Sequence, residues 1–472
     1  MTTLIIIIFI IGYILIALSE TIGINKAAIA LLLGVILWTL YIFSGVSLIT
    51  GASPVSFHEF IQSTPGIGQY SPAQQAIKYV SGLKIIDALG NTAEILFYLL
   101  GAMTIVEMID QHGGFSGITN LIKTRNKKKL LWIVALLTFF MSSVLDNMTS
   151  AIVMMTLLQK LLTDQKERWF FGSIVIIAAN AGGVWTPIGD ITTIMLWIND
   201  NITSGAIMKS LLIPGLISLI LPTWIVAATL KKQPLSPAPA QTNSANSVNW
   251  LNIRERNTIL ILGLLCLLLV PVFKSLTNLP PFMGILFTLG IAWIYTEVLY
   301  NRKNYIPAGQ QYRIPYILSK IDFSTILFFL GILMAVGALE AIGVLGNITG
   351  FLNAKIHNIY FINVIIGFLS SVIDNVPLVA AVMGMYPVVS PETLSSLPDA
   401  GYLANFVQNG KFWELTAYCA GAGGSLLIIG SAAGVVVMGL EKISFTWYLK
   451  HITWITLTGF LAGIGVYYLL NL

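Results

Sequence analysis

Apolar residues in this chain come in long blocks, not with the period of two that marks half-buried strands. Blocks fall at about 4–18, 27–48, 87–110, 130–162, 169–197, 207–229, 257–277, 282–300, 323–346, 358–387, 412–440 and 447–470. A helix needs about 20 apolar residues to cross a bilayer, and most blocks fit that length. Two blocks, 130–162 and 358–387, are too long for one crossing and carry an Asp-Asn pair near their middles. Each is expected to fold as a re-entrant hairpin of two short helices with the polar pair at its tip. Irregular backbone at that depth is tolerated where it is buried in protein or lines a cavity. The competing expectation is one long tilted helix with a buried polar kink.

Charge in the connecting segments favours the hairpin. Lys123, Arg125, Lys127, Lys128 and Lys129 precede the first long block, and Lys166 and Arg168 follow it. Excess Lys and Arg marks the cytoplasmic side, so both ends of the block are expected on that side. The other basic segments hold Lys231, Lys232, Arg254 and Arg256, then Arg302, Lys303, Arg313 and Lys320. All become cytoplasmic if the N-terminus is outside and neither hairpin crosses. The expected fold class is then an all-α polytopic membrane protein with about ten transmembrane helices plus two re-entrant hairpins.

The chain also repeats itself. Ser142-Ser143-Val144-Leu145-Asp146-Asn147 returns as Ser370-Ser371-Val372-Ile373-Asp374-Asn375. Ala181-Gly182-Gly183 with Gly189-Asp190 returns as Ala422-Gly423-Gly424 with Gly430-Ser431, and Leu100-Gly101 through Asp110 to Gly113 returns as Leu330-Gly331 through Glu340 to Gly343. Between the copies, Gln233–Asn249 is rich in Pro, Ser, Ala, Asn and Gln, which is linker composition. The expected organisation is a first repeat over 1–232, with a cytoplasmic hairpin at 130–162 and a broken helix at 169–197. A cytoplasmic linker follows at 233–256. The second repeat covers 257–472, with an outer hairpin at 358–387 and a broken helix at 412–440. The two repeats start on opposite sides, an inverted topology.

Composition excludes other classes. Of 472 residues, 56% are hydrophobic and 10% charged, against about a quarter charged in soluble domains. The net charge of +5 sits in short loops between apolar blocks and gives no indication of nucleic acid. Cys266 and Cys419 lie in apolar segments with no CxxC spacing. The block at 4–18 lacks a basic leader and a small-x-small cleavage pattern, so it is expected to be a retained helix.

The chemistry concentrates at the tips and breaks. Asp146, Asp190 and Asp374 are acids deep in apolar sequence, where a carboxylate normally faces a partner, a water-filled cavity or an ion path. Gly-Gly and Pro in 180–193 favour an unwound segment, whose freed carbonyls can coordinate a cation. Asn180, Thr186, Thr192 and Thr193 add oxygen atoms around that break. The glycines equally allow close helix packing. Hard alkali cations take oxygen ligands, and no Cys/His cluster suggests a softer metal. The four histidines, His58, His112, His357 and His451, lie outside the tip motifs. Glu94, Glu107, Asp110 and Glu340 lie in or near the third span of each half; Asp110 and Glu340 are expected to form interfacial salt bridges. Trp185, beside the break, is expected to wall a cavity. A carboxylate short of water favours its protonated form and a bound cation favours the ionised one, so one set of oxygens can hold either Na+ or H+.

These motifs resemble a known group. Two hairpin tips, two broken spans and an inverted repeat are the plan of the ion transporter superfamily. Within it, SSVLDN at 142–147, NAGGVWTPIGDITT at 180–193 and SSVIDN at 370–375 resemble the NhaD-type sodium/proton antiporters over nearly the whole chain. The resemblance implies a Na+(Li+)/H+ antiporter of the bacterial inner membrane, a homodimer in the lipid bilayer with elevator-type movement. It is not an enzyme, and it has no cofactor and no nucleic-acid partner. It carries over as ion-binding residues Asp146, Asn147, Asn180, Asp190, Thr192, Thr193, Ser370, Asp374, Asn375, Ser425 and Ser431, with sodium on Asp146, Asp374 and Asp190. Related dicarboxylate symporters usually have Ser-Asn-Thr tips without an acid. The alternatives are a sodium-coupled anion symporter or arsenite-type exporter on the same scaffold, and an intramembrane enzyme. For the enzyme, Ile188-Gly189-Asp190 is only a fragment of the required motif. No GxxxxGK[ST] loop occurs, so an ion gradient is the expected energy source.

Overall fold

A computed structural model of the chain describes residues 1–17, 19–52, 54–114, 124, 126–230, 251–303, 306, 311–372, 374–394 and 399–472. Most of the expected linker lies outside the described residues, as do Lys123, Arg125, Lys231, Lys232 and Ile373 of the second tip. Among the described residues the longer elements are all helices: α1 Thr2–Ala17, α2 Lys26–Ile42, α3 Ile85–Gln111, α4 Lys127–Leu145, α5 Asn147–Leu161, α6 Gln165–Gly183, α7 Ile191–Ile198 and α8 Ser204–Thr229. They continue with α9 Ile253–Thr277, α10 Pro281–Arg302, α11 Phe323–Ala341, α12 Ile359–Ser370, α13 Asn375–Met385, α14 Lys411–Gly423, α15 Ala432–Glu441 and α16 Thr453–Leu470.

The burial pattern is that of a protein in lipid. Leu32, Val35 and Ile261 are 64%, 67% and 57% exposed, while Asn180, Thr192 and Thr416 are wholly buried. Apolar surface on that scale marks a lipid or protein contact. Among the described residues seven helices are long and apolar enough to cross a membrane, with α4 of the first expected hairpin one of them, or eight if α2 and the short helix Val46–Ala52, bent by 106°, form one span. The shortfall from the ten expected lies mainly in the broken segments. The 169–197 and 412–440 blocks each split into two helices, and α1 has only 16 residues.

The chain forms two compact units. One comprises Met1–Phe97, Asp322–Ile362 and Val376–Val388. Its centre is the side-by-side pair α2 and α11, which touch where Gly34 faces the Gly331 carbonyl. Trp38 Nε1 donates to Met334 O (2.9 Å) and Tyr41 OH to Ala341 O (3.1 Å). The other unit comprises Tyr98–Ile321, Asn363–Asn375 and Val389–Leu472, and holds both tips and both breaks.

In this second unit the 130–162 block turns back at Asp146. Lys127 at the start of α4 pairs with Glu167 at the start of α6, Ser142 Oγ donates to Ala179 O (2.5 Å) and Thr186 Oγ1 donates to Ser143 O (2.6 Å). α4 and α6 therefore run in the same direction, and α5 must run against both. The turn takes one residue: Asp146 has φ 79° and ψ 162°, a region almost reserved for glycine. Its carboxylate offsets the strain by capping α5, accepting from Thr149 N (2.8 Å) and Thr149 Oγ1 (2.9 Å).

The second copy repeats this local geometry. Ser370 Oγ donates to Ala420 O at 2.5 Å, as Ser142 does to Ala179 O. A Cβ on Gly182 would lie 2.2 Å from Phe139 O, and one on Gly423 would lie 2.4 Å from Gly367 O. In both copies only glycine lets the hairpin arm lie directly on the broken helix. The broken segments α6–α7 and α14–α15 run antiparallel. Trp169 Nε1 donates to Glu441 O (3.0 Å) near one end, Asn180 meets Ser431 in the middle, and Asn409 N donates to Asn201 O (2.9 Å) at the other.

Two measurements check this packing. Gly182→Val should lower thermal stability by about 1–3 kcal/mol or more, because the backbone carbonyl it meets cannot move aside; an unchanged unfolding temperature in detergent would count against the contact. Cysteines placed singly at Lys129 and Lys166, in a chain without the two buried native cysteines, should react with a membrane-impermeant maleimide from the same side. Labelling from opposite sides would rule out the turn at Asp146.

Candidate functional site

The site is assembled from helix ends. α5 begins after Asp146, α7 after Asp190 and α15 after Ser431, and the side chain at each of these positions accepts a backbone N–H from the first turn that follows. α13 begins at Asn375, directly after Asp374. Helix N-termini carry partial positive charge, so each acid is held where that charge is densest. α4, α6, α12 and α14 end at these same breaks, where helix-end carbonyls take local partners such as Thr186 Oγ1 on Ser143 O and Ser425 N on Ala422 O.

Asp190 lies at the middle and is 2% exposed. Thr192 N donates to its Oδ1 (3.1 Å) and Thr193 Oγ1 donates to its backbone carbonyl (2.8 Å). One amide from each tip reaches its carboxylate. Asn147 Nδ2 donates to Oδ2 at 3.0 Å, and Asn375 Nδ2 lies 3.4 Å from Oδ1 and 3.3 Å from Oδ2. Asn147 Nδ2 also donates to Asn180 Oδ1 (3.1 Å), and Asn180 Nδ2 donates to Ser425 Oγ and Ser431 Oγ, both at 2.8 Å. Asp146 and Asp374 lie within electrostatic range of Asp190. Asp146 and Asp374 are half-buried, while Asn147, Asn180, Asn375, Thr192, Thr193, Ser425 and Ser431 are buried.

The structure thus brings ten of the eleven residues singled out in the sequence to one centre. Ser370 stands one turn back and spends its hydroxyl on Ala420 O. Thr186 bonds Ser143 O, tying the first tip to the break. Trp185 stacks on Phe139 at 6.0 Å and 8°, so it packs against α4. Sequence reasoning missed Thr149, which holds Asp146, and Ser150, whose Oγ is buried without a hydrogen bond. The signal was their place in the first turn after the Asp-Asn pair. Thr192 Oγ1 is likewise buried beside the Asp190 carboxylate with no well-formed hydrogen bond.

Such a centre offers carboxylate, amide, hydroxyl and main-chain oxygens and no soft donor. Among the described residues no three His, Cys, Asp or Glu side chains cluster closely enough to form a metal cage. Neither Asp146 nor Asp190 is paired with a Lys or Arg among the described residues. Oxygen donors of this kind are those that hard cations take.

Asn147→Leu should leave the Asp190 and Asn180 oxygens short of a donor and destabilise the protein by about 1–3 kcal/mol. Thermal unfolding in detergent reads this directly, and wild-type stability in the variant would contradict the bond.

Comparison with known proteins places the chain. Residues 6–404 match the family model described as Citrate transporter. A protein of Arabidopsis thaliana named Sodium/proton antiporter 2 is 41% identical over 464 residues, covering 97% of each chain. Sodium/proton antiporter 1 of the same plant is 41% identical over 97% of this chain and 70% of its own. The Na(+)/H(+) antiporter NhaD of Vibrio cholerae is 29% identical over 98% of this chain and 91% of its own. Together with the acid-bearing tips, these matches show that the chain belongs to the citrate transporter family of membrane transporters and, within it, to the NhaD-type sodium/proton antiporters.

Proposed function

We propose that this protein is a secondary active antiporter that exchanges cytoplasmic Na+, and Li+, for external H+ by competition at Asp146, Asp190 and Asp374. The observation that carries the reading is the meeting of both tip amides on the one buried carboxylate of Asp190. An ionised carboxylate only accepts hydrogen bonds, so Asn147 and Asn375 must present their NH2 groups to it. The Asn375 contacts, at 3.3 and 3.4 Å, are at the long limit for a hydrogen bond. An arriving Na+ replaces them and draws the Asn375 amide oxygen round as a ligand, with the Thr192 hydroxyl beside it. A proton on the carboxylate removes the charge that held the ion, and Na+ leaves. No covalent bond is made.

The resemblance to the NhaD group supports the remaining parts of the reading. These are an inverted-topology repeat with re-entrant hairpins, elevator-type alternating access, a homodimer and, for a bacterial protein, the inner membrane. The family's description as citrate transporters favours a second reading, a sodium-coupled citrate or other anion symporter. Against it stand three carboxylates at the centre, which repel an anion.

Vesicles containing the protein and a preset pH gradient decide between them. Added Na+ should collapse the gradient in wild type, and Asp146→Asn, Asp190→Asn and Asp374→Asn should each lower that response at least tenfold. Asp146→Gly, which suits the backbone at that turn, should fold and give no response. Gradient-driven citrate uptake without a Na+-dependent pH change would establish the symporter instead.

A further inference from the structure

The two halves of the centre are built alike but charged differently. Asp190 and Ser431 occupy matching positions, with φ, ψ of −146°, 148° and −145°, 154°, and each accepts an N–H from the helix it caps. Asn147 and Asn375 are likewise a matched pair, one from each tip, yet both turn to Asp190. The position that matches Asn180 is Gly421, where a Cβ would lie 3.6 Å from Asp190 Oδ2. At the two helix breaks the centre therefore holds one carboxylate, Asp190, which both tip amides share, instead of two equivalent ones.

Hydrogen-bond polarity closes the other half to a cation. With Asp190 ionised, Asn147 must donate, and its second hydrogen fixes Asn180 Oδ1 towards it. The Asn180 NH2 group then points at Ser425 Oγ and Ser431 Oγ. Ser431 Oγ also accepts Gly434 N–H at 3.1 Å. A hydroxyl oxygen has two lone pairs, so both of those on Ser431 are engaged. Ser425 faces the same amide hydrogens, and its own carbonyl accepts Tyr448 OH (2.8 Å). A cation entering between Ser425 and Ser431 meets the Asn180 NH2 group and, on Ser431, an oxygen with both lone pairs engaged.

We infer that the protein binds a single Na+ per chain and per cycle, on the Asp190 side of the centre, and that Ser425 and Ser431 orient Asn180 instead of forming a second cation site. This rests on the sodium/proton reading above.

The test is equilibrium binding of radioactive Na+ to the purified full chain, with the Na+ dependence of exchange measured in vesicles. One ion bound per chain and a Hill coefficient near one are expected, since that coefficient can reach the number of interacting sites. Asp190→Asn, checked for an unchanged elution profile, should lose the bound ion. Two ions per chain, or one still bound in Asp190→Asn, would overturn the inference while leaving sodium/proton exchange intact. Absence of any Na+-dependent proton movement would remove the reading beneath it.

Discussion

A carboxylate deep in apolar surroundings must be held by something, and here the holding is done by backbone. Asp190 accepts from Thr192 N and from one amide of each tip. Those amides arrive only because the first block turns back at Asp146 and two helices stop there. An unbroken helix has no free N–H in its middle, so it could not hold an ionised acid at that depth. The breaks, tips and glycine contacts all serve to keep that carboxylate buried and hydrogen-bonded.

That demand explains the distribution of small residues. Gly182 and Gly423 let the arms α4 and α12 lie on the broken helices with carbonyl oxygens in the space a Cβ would take. α8 and α16 meet the same way, with Gly459 under Pro222 and Gly463 against the Pro214 carbonyl. Without a hydrophobic drive between helices in lipid, such close backbone approach supplies much of the association. Strain is accepted at Asp146, whose backbone would suit glycine better, because the side chain both caps α5 and brings charge to the centre.

The near-symmetry of the centre has a chemical consequence. Duplicated geometry alone would give two like sites. Two differences, acid at Asp190 against hydroxyl at Ser431 and amide at Asn180 against Gly421, send both tip amides to one side and set the direction of the hydrogen-bond chain through Asn147 and Asn180. Polarity in such a network propagates because each amide has one donor end and one acceptor end.

The sequence by itself determined the class, and its motifs named most of the residues that meet around Asp190. Apolar blocks of spanning length, two Asp-Asn pairs and Gly-Gly interruptions are local signals, and the resemblance to NhaD-type antiporters rests on the same residues. The span count was less legible, because an apolar block does not reveal whether it is one helix or two. What only the tertiary structure decided is which groups meet. Ser370 reads like a site residue but hydrogen-bonds Ala420 O, while Thr149 and Ser150 read like ordinary helix polars but stand beside Asp146. The convergence of Asn147 and Asn375 on Asp190 joins three segments far apart in the chain. No local pattern fixes such a meeting, because it depends on how the arms pack and which way each amide must face.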